Sequence, residues 1–107
     1  MKLMISYIDH NYGRSIRIGD IACAAGICVR ECQRCFSESI HTTPLAFLTQ
    51  KRISAAAGLL YGTNRPIIDI AASCGFPTQS YFNRKFLQYT GMTPGEYRRS
   101  SEFRNLT

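Results

Sequence analysis

The stretch DIAASCGFPTQSYFNRKF, residues 69–86, decides the fold, because residues 20–36, DIACAAGICVRECQRCF, repeat its pattern. Asp20-Ile21-Ala22-x-x-x-Gly26-Ile27 matches Asp69-Ile70-Ala71-x-x-x-Gly75-Phe76 at a spacing of 49. Arg34-x-Phe36, Thr43-Pro44 and Phe47 match Arg84-x-Phe86, Thr93-Pro94 and Tyr97 at a spacing of 50, so the second copy has one extra residue in its turn. A repeat of this length is an internal duplication of one supersecondary unit.

The residues of the unit follow from what it must do. Two short helices that cross steeply need a small residue at their closest approach, which Ala22 and Ala71 supply. The turn between them needs a residue that tolerates positive φ, which Gly26 and Gly75 supply. The second helix of each copy must be apolar on one stripe and polar on the other. In the first copy the polar stripe is Arg30, Gln33, Arg34 and Ser37, at i, i+3, i+4 and i+7. In the second it is Gln79, Ser80, Asn83 and Arg84, with Phe82 and Phe86 on the inner side. Each copy is a helix-turn-helix.

Outward from these stretches the apolar residues recur at three and four, and we read helices throughout. The expected helices are about 2–12, 18–25, 29–40 (burying Cys32, Phe36 and Ile40), 44–61, 67–74 and 78–90, with a short last one. The first is carried by Ile5, Ile8 and Tyr12, and the second by Ile18, Ile21, Ala22 and Ala25, with Asp20 in its first turn, where the helix dipole favours an anion. Thr43-Pro44 opens the long fourth helix with an N-cap and a Pro at the first helical position. Thr93-Pro94-Gly95-Glu96 is a capping box that opens the last. The expected fold is all-α, about seven helices, as one domain over 1–107. Two homeodomain-like helix-turn-helix units (1–43 and 63–107) are joined by a linking helix (44–62).

Composition narrows the function. A chain of 107 residues with 45% hydrophobic residues and 12 Phe or Tyr can bury a real core. No apolar run nears the roughly 20 residues that span a bilayer, and the N-terminus lacks the pattern of a signal peptide, so we expect a cytoplasmic protein without membrane association. The net charge is +6, and ten of the thirteen basic residues are Arg. The guanidinium fork suits phosphates and guanine edges, although an acidic protein or an anionic surface would also accept such a balance.

The five cysteines offer a competing reading. Cys28, Cys32 and Cys35 fall at i, i+4 and i+7, and Cys23 is a possible fourth thiolate for a metal or a partner in a thiol switch. Their number is odd and no CxxC pair repeats, and Cys32 and Cys74 occupy packing positions. Cys23 lies on the side of its helix opposite the Ile18, Ile21, Ala22 and Ala25 stripe. We read the cysteines as small hydrophobes and expect no metal and no cofactor. His10 and His41 lie on different helices without an acidic pair. No nucleophile, base and orienting partner can be assembled, so no catalytic residue is expected. Phe47, Phe82, Phe86 and Tyr97 read as core rather than as a stacking platform.

The stretch 67–99, IIDIAASCGFPTQSYFNRKFLQYTGMTPGEYRR, resembles the C-terminal signature of AraC/XylS-family transcription regulators. Asp69, Ile70, Ala71, Gly75, Phe76, Ser80, Tyr81, Phe82, Arg84, Phe86, Gly91, Thr93, Pro94 and Tyr97 are all in pattern. The first copy departs from it at Cys28, where Ser or Thr usually caps, at Cys32, where Leu usually packs, and at His41, where Gly usually ends the helix. The resemblance implies sequence-specific binding of double-stranded DNA, with the third and sixth helices in successive major grooves. Arg30, Gln33, Arg34 and Ser37, and Gln79, Ser80, Asn83 and Arg84, would then lie at the DNA. Arg pairs bidentately with guanine, and Gln or Asn with adenine. It also implies recruitment of RNA polymerase by an activator, and many family members carry a further N-terminal effector and dimerisation domain. The isolated domain is expected to be monomeric. The alternatives are a helical protein-binding adaptor and a redox- or metal-responsive regulator that uses the cysteine cluster.

The linking helix carries a geometric expectation. Its some 18 residues span roughly 27 Å at 1.5 Å per residue. With the width of a unit at either end, that length suits two reading helices about 34 Å apart, one turn of DNA. A monomer should protect two short blocks whose centres lie about 10 base pairs apart. Inserting about five base pairs between them should reduce binding to that of one unit; unchanged affinity would mean that only one unit reads DNA.

Overall fold

A computed structural model describes the backbone of residues 1–105 and the side chains of residues 1–100. Seven helices and no strand occur among them: α1 (Lys2–Asn11), α2 (Ile18–Ala24), α3 (Val29–Ile40), α4 (Pro44–Gly62), α5 (Ile67–Ser73), α6 (Gln79–Thr90) and α7 (Pro94–Asn105). None of these helices is long and apolar enough to cross a membrane. The last helix is longer than its sequence suggested. The sixth begins one residue later, because Thr78 is its N-cap, with φ −142°.

The chain divides into two compact units, Met1–Lys51 and Arg52 onward, and the division falls inside α4. In the first, Met4 and Ile8 of α1, Ile21 and Ala22 of α2, Cys32 and Phe36 of α3 and Leu48 of α4 form one core. Phe47 packs its ring on Phe36 at 5.6 Å between centroids. In the second, Ile53, Ala56 and Leu60 of α4 meet Ile70 and Ala71 of α5, Cys74, Phe76, and Phe82 and Phe86 of α6. Phe76, Phe82, Phe86 and Tyr97 make a chain of tilted and edge-on ring contacts, at 4.9 Å, 5.6 Å and 5.4 Å in turn. The linking helix is therefore part of both cores rather than a bare spacer.

Each unit keeps the turn that the duplication predicts. Ala22 and Ala71 are buried, and Gly26 and Gly75 take φ of 69° and 90°. Asp20 accepts the Arg17 N–H at the start of α2 (2.9 Å), and Thr43 accepts the Ala46 N–H at the start of α4 (3.1 Å). In the capping box of α7, the Thr93 N–H donates to the Glu96 carboxylate and the Glu96 N–H to the Thr93 hydroxyl, both at 3.1 Å. The hydrogen bonds from Thr93 hold the Glu96 carboxyl below the ordinary carboxylate range.

Ile40 differs from expectation: it is 38% exposed. Each four-residue step along a helix turns the side chain by about 40°, so Ile40 points about 80° away from Cys32. It is also the last residue of α3, where the chain turns away.

The two copies differ at both ends of their second helices. Thr78 accepts the Tyr81 N–H at 3.1 Å, whereas Cys28, at the same place in the first copy, makes no side-chain cap hydrogen bond. Gly91 ends α6 at φ 78°, while His41 ends α3 at φ 55°, the one non-glycine residue at positive φ among those described. A Cβ in the left-handed region costs roughly 1–2 kcal/mol, part of which glycine forfeits through its freedom in the unfolded chain. Cys28→Ser and His41→Gly should each stabilise the first unit by about 0.5–1 kcal/mol, nearly additively. Denaturant midpoints followed by circular dichroism check this; no gain from either would show that these ends are satisfied in another way.

Candidate nucleic-acid interface

The inner stripe of each second helix fixes its outer one. Cys32 and Phe36 of α3, and Phe82 and Phe86 of α6, are each 0% exposed, so the opposite faces cannot turn inward. Arg30, Gln33, Arg34 and Ser37 are all exposed on α3. Gln79, Ser80, Asn83 and Arg84 are all exposed on α6. On α3 the four expected residues share one solvent-facing stripe; on α6 Ser80, Asn83 and Arg84 do so, while Gln79, seven residues before the buried Phe86 and so on nearly the same side, is exposed as the first residue of the helix.

Around these stripes lie residues that the periodicity did not single out. Glu31 shares a shallow depression with Cys28, Arg30 and Arg34. The signal for Glu31 was its place three residues before Arg34, on the same side of the helix. In the second unit a hollow is lined by Ile68, Ala71, Phe76, Pro77, Thr78 and Gln79, among others. The Arg84 guanidinium lies 5.4 Å from the centroid of the Tyr81 ring, and Lys85 Nζ lies 5.7 Å from it. Spacing hid this group, because Tyr81 reads simply as an edge residue of the apolar stripe.

The two helices differ in charge. The charged residues of α3 are Arg30, Glu31, Arg34 and Glu38, which cancel; those of α6 are Arg84 and Lys85, which add to +2. A polyanion is therefore attracted more strongly by α6 itself than by α3.

The cysteines divide by burial. Cys23 and Cys28 are exposed, Cys35 is half-buried, and Cys32 and Cys74 are buried. Burial pushes the thiol pKa of Cys32 up, and neighbouring Cys35 adds to the effect. Burial likewise raises that of Cys74, opposed by the nearby Arg65 and Arg52 guanidiniums. Both are held in the neutral, weakly nucleophilic form. Among the described residues, no group of three or more His, Cys, Asp or Glu side chains is placed to hold a metal ion. At neutral pH an alkylating reagent should label Cys23 and Cys28 quickly, and Cys32 and Cys74 only on unfolding, as mass spectrometry would show. Treatment with a chelator should leave the thermal midpoint unchanged; a stoichiometric zinc whose removal melts α3 would overturn the packing role of these sulfurs.

Comparison with known proteins agrees with this geometry. The family model described as "Helix-turn-helix domain" matches residues 21–100. The regulatory protein SoxS of Escherichia coli K12 is 34% identical over 95 residues, which are 89% of this chain and 89% of SoxS. The melibiose operon regulatory protein of the same organism is 32% identical over 104 residues, 97% of this chain, but the chain spans only about a third (34%) of that protein's length. A crystal structure of a transcriptional regulator from Chromobacterium violaceum, described as AraC-type DNA-binding domain-containing, superposes with a TM-score of 0.89 at 26% identity, covering 94% of this chain and 89% of that one. With the duplicated helix-turn-helix, the two exposed polar stripes and these relatives in agreement, the chain belongs to the AraC/XylS family of DNA-binding transcription regulators.

Proposed function

We propose that this chain binds duplex DNA at specific sequences by laying α3 and α6 in major grooves, and that it regulates transcription by doing so. The observation that carries the reading is the pair of exposed stripes, each fixed by a fully buried apolar stripe behind it. Arg30 and Arg34 are suited to guanine O6 and N7, Gln33 and Asn83 to adenine N6 and N7, and Ser37, Gln79 and Ser80 to base edges or phosphates. Arg84 reads a guanine beside the positions taken by Asn83 and Ser80. Because α6 adds two positive charges and α3 none, the second unit supplies more of the sequence-independent attraction. RNA polymerase is the further partner proposed, and activation the outcome. The names of the relatives, regulatory protein and operon regulatory protein, support a role in controlling transcription. A single chain holds both reading helices, so a monomer is the proposed binding unit.

Sites selected from random duplexes by the whole chain test this reading. The selected sequences should contain two short blocks, and affinity should fall steeply as salt rises. Arg84→Ala should relax preference at one base pair of one block, at a cost of about 1–3 kcal/mol there, and Arg34→Ala should do the same in the other. A loss that is equal across all sequences would make these arginines phosphate contacts. Binding that ignores salt and sequence would favour a protein-binding adaptor.

A further inference from the structure

We propose that Tyr81 is a positioning residue for DNA reading: its ring holds the Arg84 guanidinium in place before DNA arrives, which sharpens base discrimination in the second unit. The inference rests on the base-reading role of Arg84 proposed above.

The ring is well placed to do this. Tyr81 is half-buried at the edge of the second core, 6.1 Å from Phe76 between centroids, and Phe76 is itself packed on Phe82. The Tyr81 N–H is tied to the Thr78 hydroxyl, which fixes the first turn of α6. Arg84 and Lys85 follow at i+3 and i+4, the two positions on a helix that come back over residue 81. Both cations lie within 6 Å of the ring centroid, the range in which the negative face of an aromatic attracts a positive charge. The helix carries no carboxylate, so no ion pair within α6 competes with the ring for the guanidinium. Lys85 is further held by Gln88, whose Oε1 accepts from Nζ at 3.4 Å.

A long side chain that is already ordered loses less rotamer freedom on binding, and one aimed at a base edge is less free to settle on a phosphate instead. The effect is on specificity more than on total affinity. The first unit has no such device. Its residue 50 positions earlier is Glu31, so Arg34 has a carboxylate at i−3 where Arg84 has a ring.

The test uses the whole chain and a duplex selected by it from a random pool, with its single-base-pair variants, in fluorescence anisotropy. Arg84→Ala first identifies the base pair whose discrimination is lost. Tyr81→Leu, which keeps an apolar side chain but removes the ring, should reduce discrimination at that base pair roughly two- to fivefold, the factor that an exposed cation–π contact corresponds to. Tyr81→Phe should retain it. In the Arg84→Ala background, Tyr81→Leu should add no further loss at that position. Discrimination that survives Tyr81→Leu, or a loss spread evenly over all positions, would overturn the proposal while leaving Arg84 a base reader. If Arg84→Ala loses no discrimination anywhere, the base-reading role fails and the positioning role fails with it. Should Tyr81→Leu not fold, 15N relaxation of the arginine Nε–H groups in the unaltered chain decides: Arg84 should be more ordered than Arg30, which has neither a ring nor a carboxylate three or four residues away on its helix, and equal mobility would overturn the proposal.

Discussion

Burial of Phe36 in one unit and of Phe82 and Phe86 in the other is the constraint on which the rest depends. Fully burying such a side chain contributes about 1.5–3 kcal/mol relative to leaving it exposed, far more than any contact on the outer stripes. Rotation of α3 or α6 about its axis would expose these rings, so the polar residues on the far side are held facing outward without needing partners of their own. The outward placement of these polar side chains thus has an apolar cause. Ala22 and Ala71 serve the same end, because only a small side chain lets α2 and α5 come close enough to cover the rings.

Duplication produced two units that share this core logic and differ at the ends of α3 and α6. The second has a Thr cap that makes its hydrogen bond, a Gly in the left-handed position and two uncancelled positive charges. The first has a Cys that makes no cap bond, a His at φ 55° and a helix whose charges cancel. Each difference is small, on the order of 1 kcal/mol or less, but all point the same way. Local opening begins where end groups are poorly satisfied, so the N-terminal end of α3, where Cys28 makes no side-chain cap bond, is more ready to fray than that of α6.

Sulfur plays an ordinary part. Cys32 is packed in the first core, and Cys74 ends α5 against the second. Their raised thiol pKa values follow from that burial. Cys23 lies on α2 and Cys28 caps α3 one turn before the buried Cys32, and among the described residues these side chains form no group of three placed to hold a metal ion.

The order of the helices, the two turns and the eight outward residues were legible in the sequence, because helical periodicity and the Gly and Pro signals are local and the duplication states each of them twice. Thr43 and Thr93 announced their helices for the same reason: a cap acts within one turn. Other features needed the tertiary structure. The exposure of Ile40 depends on where the chain leaves α3, and the division inside α4 depends on which stretch of that helix each core takes, Leu48 for the first and Ile53, Ala56 and Leu60 for the second. The approach of the Arg84 guanidinium to the Tyr81 ring depends on rotamers that pattern alone does not set. Spacing determines which residues share a face of a helix; how a half-buried ring is wedged by a second aromatic from the turn, and so which cation it can hold, is decided only when the two helices have packed.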